Sequence, residues 1–285
     1  MVTKVFFLFF LHMGLTGSLR AEHSPQTIQK RRPLASRIAR WVKGTDISVK
    51  YSSFVGACQS TPVAKKTLSE TGLCRLAYVT AAHCVLDDSN RFFNSIEIAG
   101  VGEIPSTKIQ KEVPREYFKK TSGDPRAPRR GDTATLIFDI SCEKAKNVIP
   151  VELAPVQRDG TTRIDSAHVY LQKRESAAPG NRGGGVQIVA DVAEPENSAQ
   201  FRFVVPSPQG YAIVGGDSGG PVFNENGQLV CPISGSSFEY LRSTGGLTRP
   251  RTGDNTRLDP FTVVCDNRAV ARLKGQLERF GLMEG

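Results

Sequence analysis

Short runs of alternating apolar and polar residues follow one another along most of the chain, and Gly, Pro, Asn and Asp separate them. Alternation with a period of two is typical of strands that bury one face, and frequent breaks are typical of antiparallel sheets rather than of a parallel α/β sheet. The pattern therefore predicts an all-β barrel or sandwich. Residues 48–57 alternate in part, and the predicted strands cover residues 76–80, 133–138, 167–171, 186–192, 201–205, 228–233 and 261–265.

The C-terminal residues follow a different period. Apolar side chains recur at helical spacing at Val270, Leu273, Leu277 and Phe280. An aspartate and an asparagine at 266–267 precede this stretch, and both residue types can cap a helix. We therefore predict a C-terminal helix.

The N-terminal forty residues do not continue the strand pattern. Lys4 precedes an apolar run at 5–11, and small residues follow at 16–18 and at Ala21, so residues 1–21 have the features of a secretory signal peptide. Residues 22–40 are polar and basic, contain Pro25 and Pro33, and are not expected to fold alone. We predict a signal peptide over 1–21, a propeptide over 22–40 and one domain over 41–285, a length that accommodates a double β-barrel.

The formal net charge of +9 raises the question of a polyanionic partner. Residues 1–40 contain seven basic residues and one acidic residue, so residues 41–285 carry a charge of only +3. A domain this close to neutrality has no electrostatic reason to bind nucleic acid or a membrane surface. The apolar run at 5–11 is also much shorter than the roughly 20 residues that a membrane span requires. We therefore predict an exported protein without nucleic-acid or membrane partners.

The six cysteines favour three disulfides in an exported chain, and sequence alone allows fifteen pairings. No two cysteines have the CxxC spacing of zinc or redox sites. We therefore predict neither a metal site nor a cofactor.

Two segments supply the groups that acyl transfer needs. The segment GDSGGP at 216–221 places Ser218 in a glycine-rich turn, and the segment TAAHC at 80–84 contains His83. A serine hydroxyl is a weak nucleophile until an imidazole accepts its proton. After residue 40 the sequence contains one other histidine, His168, which lies in a predicted strand and is interpreted as structural. Ser218 and His83 are therefore predicted to be the nucleophile and the base.

A carboxylate is needed to orient the base. Asp132 directly precedes the predicted strand at 133–138, where a buried carboxylate can accept the imidazole N–H and fix its tautomer. Asp124 lies in an SGDP turn, and Asp139 ends the strand. We favour Asp132 over these two alternatives.

The segments TAAHC, DTATLIF at 132–138 and GDSGGP resemble, in order and spacing, the signatures of the chymotrypsin-like (trypsin family) serine proteases. The resemblance implies two antiparallel six-stranded β-barrels with the active site in the cleft between them, and a C-terminal helix. It also implies a secreted, monomeric serine endopeptidase that cleaves proteins or peptides through a Ser-His-Asp triad and an acyl-enzyme, without a cofactor. The alternatives are a non-catalytic binding protein with the same fold and a cationic surface-binding protein.

The resemblance further implies how the turn around the nucleophile becomes active. The backbone N–H groups of Gly216 and Ser218 would bind the oxyanion. An activating protease would cleave after Arg40, and the freed amine of Trp41 would pair with Asp217 and hold the turn in shape. The chain would therefore be made as a zymogen.

The resemblance also bears on the substrate and on the disulfides. Ser234 would lie in the segment that pairs with the substrate backbone. Ala212, six residues before Ser218, predicts an apolar specificity pocket. Asp259 on the wall of that pocket would instead predict cleavage after Lys or Arg, and the sequence leaves both preferences open. The implied disulfides are Cys58–Cys84, Cys74–Cys142 and Cys231–Cys265.

Overall fold

The computed structural model describes residues 44–52, 54–69, 71–87, 89–118, 131–164, 166–173, 186–191, 202–207, 211–212, 216–235 and 259–283. In these ranges the chain is mostly β, with fourteen strands, the one-turn helix α1 (Arg115–Phe118) and the C-terminal helix α2 (Ala269–Arg279). The all-β class and the C-terminal helix are therefore confirmed. The predicted signal peptide and propeptide, with Arg40 and Trp41, lie outside the described residues.

The first seven strands form one antiparallel sheet in the order β5-β4-β1-β2-β3-β7-β6. Its edge strands β5 and β6 are consecutive in the chain, and four residues separate them. Five Cα–Cα steps span at most about 18 Å, whereas the edges of a flat seven-stranded sheet lie roughly 29 Å apart. The sheet therefore curls until its edges approach each other. The strands are β1 (Thr45–Lys50), β2 (Val55–Leu68), β3 (Leu73–Thr80), β4 (Ser95–Ile98), β5 (Gly102–Pro105), β6 (Gln110–Glu112) and β7 (Ala134–Ser141).

Side chains on both faces of the central strands are buried. On β3, Leu76 and Tyr78 point into the cluster that the curled sheet encloses, whereas Ala77 and Val79 join a second cluster on the outer face. Neighbouring β7 repeats the alternation, since Leu136 faces inward and the next residue along the chain faces outward. This alternation is the period-two pattern that the sequence shows.

The second half of the chain forms two smaller sheets. One has the order β11-β8-β12-β13 with β9 also paired to β8, and the other consists of β10 and β14. The six-stranded barrels implied by the resemblance stay a prediction, because the described strands form sheets of seven, five and two strands. The strands are β8 (Ser166–Lys173), β9 (Val186–Asp191), β10 (Arg202–Ser207), β11 (Tyr211–Ala212), β12 (Pro221–Phe223), β13 (Leu229–Pro232) and β14 (Asp259–Asp266).

Helix α2 packs where the two halves of the chain meet. Leu273 and Leu277 are buried in the cluster that contains Ile137 of β7 and Phe223 of β12. Residues 266–267 precede this helix, but the cap position is the next residue, Arg268, and no side chain caps it. The carboxylate at 266 instead accepts the Arg268 N–H at 2.9 Å.

The partly alternating residues 48–57 belong to two strands and the turn between them. Strand β1 ends before Tyr51, and β2 begins after Phe54. A hydrogen bond of 2.9 Å from Tyr51 N to Phe54 O closes the turn between them, and the two rings stack at a centroid distance of 4.5 Å. Tyr51 and Phe54 thus lie in a turn, although aromatic residues have a high propensity for strands.

Three disulfides staple the described residues, namely Cys58–Cys84, Cys74–Cys142 and Cys231–Cys265. These are the pairs that the family resemblance implied. Disulfide-rich chains are typical of oxidising compartments outside the cytosol. Among the described residues, neither helix has the length and hydropathy that crossing a membrane requires.

Candidate active site

The candidate base His83 lies just past the end of β3. That strand ends at Thr80, and the chain then forms a 3₁₀ turn over Ala82–Cys84 that carries the imidazole. The disulfide from Cys84 to Cys58 ties this turn to β2. The turn is therefore fixed at both ends, while the His83 side chain stays 39% exposed and open to a substrate.

Strand pairing brings Asp132 to the same place. Strands β3 and β7 are antiparallel neighbours, and Thr80 pairs with Ala134, so the residues after β3 meet the residues before β7. The Asp132 carboxylate accepts the backbone N–H of His83 at 3.0 Å, and its other oxygen lies 2.8 Å from His83 Nδ1. Ser234 Oγ donates to that second oxygen at 2.6 Å. The structure therefore brings together three of the residues singled out from the sequence.

The environment keeps Asp132 ionised despite its burial. Asp132 is only 4% exposed. Burial alone would raise the pKa of its carboxyl, but the His83 imidazole and the hydrogen bonds from His83 and Ser234 hold that pKa below its ordinary value. A carboxylate accepts hydrogen bonds and does not donate, so His83 must carry its proton on Nδ1. Nε2 is then left as the atom that can accept a proton.

Of the two alternative aspartates, Asp139 is the one that the structure describes, and it does not compete for this position. Asp139 lies towards the far end of β7 and forms a two-pronged ion pair with Arg75 at 2.8 and 2.9 Å. Asp124 lies outside the described residues. The second histidine, His168, lies on β8 opposite Phe223, and burial lowers its pKa.

The turn that contains Ser218 depends on its glycines. Gly216 has a φ of 100° and Gly219 a φ of 82°, a region that side-chain-bearing residues rarely adopt. The Gly220 N–H donates to Asp217 O at 3.0 Å and closes the turn, and the Gly219 N–H donates to Ile233 O at 2.8 Å. The turn is thereby attached to the segment that follows β13.

The backbone of Ser218 lies beside the imidazole. Its carbonyl oxygen accepts the Gln59 N–H at 2.8 Å and lies 3.6 Å from Cys84 Sγ. The same sulfur is 3.9 Å from His83 Nε2. The Cys84 sulfur is therefore near both the backbone of the candidate nucleophile and the candidate base.

Gln59 is a residue of this site that sequence reasoning missed. Its side-chain Nε2 donates to Asp217 Oδ1 at 3.3 Å, and its Oε1 accepts the Gly44 N–H at 2.8 Å. A lone glutamine belongs to no catalytic motif. The available signal was its position directly after Cys58, since pairing Cys58 with the cysteine next to His83 places residue 59 at the site.

The candidate specificity residues lie in different sheets. The backbone of Ala212 is on β11 and pairs with Gln172 of β8, whereas Asp259 begins β14 and pairs with Ser207 of β10. The apolar pocket predicted from Ala212 and the cleavage after Lys or Arg predicted from Asp259 both stay predictions.

The ligand atoms of Cys58, His83 and Cys84 lie within 4.8 Å of one another. Because the two cysteines form a disulfide, they have no thiolate to offer a metal.

The fold that these strands build is that of the trypsin- and chymotrypsin-like serine proteases. The crystal structure of AL20, a thermostable serine protease from an extremophilic microorganism, matches with a TM-score of 0.50 and 13% identity over 87% of this chain and 100% of that one. The protease Anisep from Arthrobacter nicotinovorans matches with a TM-score of 0.49 and 14% identity, covering 81% and 96% of the two chains.

The active form of the Rv3671c protease from M. tuberculosis matches with a TM-score of 0.43 and 16% identity over 92% of this chain and 88% of that one. No protein-family model and no curated protein matches the sequence. Likeness at such identities defines the fold, whereas the chemistry depends on the residues of the site.

Proposed function

We propose that this chain is a secreted serine endopeptidase in which Ser218 is the nucleophile, His83 the general base and Asp132 the carboxylate that orients the base. The observation that carries the proposal is the 2.8 Å contact between His83 Nδ1 and the buried Asp132 carboxylate, on the side of the imidazole away from Nε2. The anchoring of the Ser218 backbone beside the same imidazole supports it further.

In the proposed reaction Ser218 Oγ attacks the peptide carbonyl carbon while His83 Nε2 takes the hydroxyl proton. Asp132 stabilises the imidazolium that forms. The N–H groups of Gly216 and Ser218 bind the oxyanion, an interaction of the kind worth about 3–4 kcal/mol of the barrier. The imidazolium then protonates the leaving amine, and water, activated by the same imidazole, hydrolyses the acyl-enzyme.

The substrate is a protein or peptide that binds in a cleft between two β-barrels. The segment at Ser234 lies next to the triad carboxylate, which supports its assignment to the substrate backbone. Two pocket chemistries are carried forward, an apolar pocket at Ala212 and a basic preference read by Asp259. Replacing Asp259 with Asn abolishes cleavage after Lys or Arg under the second, and an unchanged preference rejects it.

The proposal includes export and latency. A signal peptide over 1–21 and a propeptide over 22–40 would precede the protease domain, and an activating protease would cleave after Arg40. The freed Trp41 amine would then reach Asp217, and the enzyme would act as a monomer. The three disulfides support passage through an oxidising compartment.

The test is covalent labelling of the secreted chain with a fluorophosphonate probe before and after limited cleavage at Arg40. We expect labelling of Ser218 only after cleavage, and none in a Ser218→Ala control. Labelling before cleavage would retain the enzyme and reject the zymogen. No labelling of a folded chain in either state would favour the non-catalytic binding protein.

A further inference from the structure

We infer that Gln59 is a positioning residue that holds the nucleophile turn in shape, and that its side-chain amide links Asp217 to the N-terminal segment at Gly44. This inference rests on the proposed function and adds a residue to it. Gln59 lies on β2 and is only 3% exposed.

Each polar group of Gln59 has a partner. Its backbone N–H donates to Ser218 O at 2.8 Å, and its backbone oxygen accepts Thr80 Oγ1 at 2.7 Å. Its side chain binds Asp217 and Gly44, as described above. One residue therefore contacts the turn at two consecutive positions, the end of β3 beside His83, and the start of the described chain.

The orientation of the amide follows from Gly44. A backbone N–H can only donate, so the atom that faces Gly44 at 2.8 Å has to be the amide oxygen. The NH₂ group then faces Asp217, which as a carboxylate can only accept. If the amide were flipped, its NH₂ group would face the Gly44 N–H, and its oxygen would face the Asp217 carboxylate. Neither pair could form a hydrogen bond. The donor and acceptor pattern therefore selects a single arrangement.

The turn is also packed directly on this residue. A Cβ at Gly219 would lie 2.2 Å from Gln59 O, and a Cβ at Gly220 would lie 2.8 Å from Gln59 Oε1. A Cβ at Gly44 would lie 3.0 Å from the same oxygen. Side chains at these three positions would clash with Gln59, so Gly44 and the turn both pack their backbones directly on this residue.

The consequence concerns how the proposed activation reaches the active site. Gly44 lies three residues after Trp41 in the chain. A rearrangement of the backbone there changes the donor that Gln59 Oε1 accepts, and through Nε2 it changes the position of Asp217. The two N–H groups of the oxyanion site belong to the residues on either side of Asp217. The Gln59 amide therefore couples the N-terminal segment to the oxyanion site.

Two variants at Gln59 test the inference in the secreted full-length chain, in whichever form takes up the probe. Gln59→Leu removes the amide at nearly constant volume. Hydrogen bonds to charged groups contribute about 1.5–3 kcal/mol. We therefore expect kcat for an ester or peptide substrate to fall roughly 10- to 100-fold while KM changes less than about threefold. Gln276→Leu is the matched control, since Gln276 is also buried and hydrogen-bonded, but to Thr135. It should lower Tm without lowering kcat.

The variant Gln59→Glu tests the pH dependence of activity, which a purely structural role of Gln59 would leave unchanged. When protonated, the introduced carboxyl has the same donor and acceptor arrangement as the amide. When ionised, it repels Asp217. Two other titratable groups are nearby. Asp46 on β1 pairs with position 59 on β2, and His83 lies on the adjacent turn. Burial and two neighbouring carboxylates raise the pKa of the introduced carboxyl. Activity relative to wild type should therefore fall as the pH rises from 5 to 8.

A measurement that does not need catalysis separates this inference from the proposed function. In Gln59→Leu the amides of residues 216–220 should exchange with deuterium faster than in wild type, by at least about tenfold in mass spectrometry. Unchanged exchange, or an unchanged kcat in Gln59→Leu, would overturn the role of Gln59. A Gln59→Glu variant whose relative activity is the same at pH 5 and pH 8 would overturn the amide linkage. If wild type takes up no fluorophosphonate while Gln59→Leu still loosens the turn, the proposed function fails and the positioning role stands.

Discussion

The substitution Asp132→Asn tests whether the Asp132 carboxylate orients His83, because it replaces one carboxylate oxygen with an NH₂ group. The Asp132 carboxylate accepts three hydrogens, from His83 N on one oxygen and from His83 Nδ1 and Ser234 Oγ on the other. An amide has a single oxygen, so its NH₂ group has to face one of these two sides. The backbone N–H of His83 cannot become an acceptor, whereas Nδ1 and a hydroxyl can. The NH₂ group is therefore forced towards Nδ1.

This orientation gives the imidazole the wrong tautomer. Nδ1 then accepts, Nε2 carries the proton, and Nε2 can no longer take the proton of Ser218. To regain the reactive tautomer, His83 has to carry its proton on Nδ1, where this N–H faces the introduced NH₂ group. The hydrogen bond between the two groups is then lost and two donors face each other, which costs about 2–3 kcal/mol. The imidazolium also loses its charged partner, a hydrogen bond of the kind worth about 1.5–3 kcal/mol. Together these terms predict a rate loss of roughly 10³- to 10⁴-fold.

The second-order rate constant of fluorophosphonate labelling measures this loss without knowledge of the natural substrate. Asp139→Asn is the matched control, because it makes the same change seven residues further along the chain, at an exposed ion pair with Arg75. We expect the control to label within about twofold of wild type, since exposed pairs contribute about 0–1 kcal/mol. A loss below tenfold in folded Asp132→Asn would refute the assigned role of this carboxylate.

Three further changes have defined outcomes. Ser234→Ala removes the donor at 2.6 Å from the buried Asp132 and should lower the free energy of unfolding by about 1.5–3 kcal/mol in urea titration at pH 7. Gly219→Ala should abolish labelling, because its Cβ would lie 2.2 Å from two oxygens and φ is 82°, whereas Gly275→Ala, whose Cβ meets nothing within 4 Å, should label normally. Burial raises the pKa of Tyr78 to about 12, above the value of about 10 in the unfolded chain, so this group favours folding fully below pH 10 and loses its contribution as the pH rises towards 12. Between pH 9 and pH 11.5 wild type should therefore lose more stability in urea titration than Tyr78→Phe, by at most about 2–3 kcal/mol, and equal losses would reject the assignment.

The sequence predicts strands best where both their composition and their alternation are clear. Strand β7 (Ala134–Ser141) and strand β3 (Leu73–Thr80) were recognised because apolar residues dominate them. Strand β2 was missed over most of its fourteen residues, since six of them are polar and it contains Pro62. Proline normally excludes a central strand. Here the register shifts between Pro62 and Ala64, so an irregularity in the ladder accommodates the missing N–H.

The residues of the candidate site divide along the same line. Ser218, His83 and Asp132 were predicted because each lies in a local motif whose chemistry is readable from neighbouring residues. Gln59 was not, because its role depends on Asp217, which is 158 positions away in the chain. Its amide has these partners only in the folded chain, where the Gly44 N–H lies on one side and the Asp217 carboxylate on the other. Positions that support a motif from outside it are therefore the part that sequence alone does not reveal.

The distance between His83 and Asp132 is itself set by the register of two strands. Both residues flank the β3–β7 ladder, whose last pair joins Thr80 to Ala134. A slip of one residue would move Asp132 by about 3.3 Å along the strand and turn every side chain of β7 to the other face. Leu136 and Phe138 would then leave the enclosed core, and Thr135 would enter it. Because the inward positions of β7 are apolar while Thr135 and Asp139 lie on its outer face, the apolar pattern excludes that slip. The alternation that is visible in the sequence therefore specifies the geometry between the imidazole and the carboxylate.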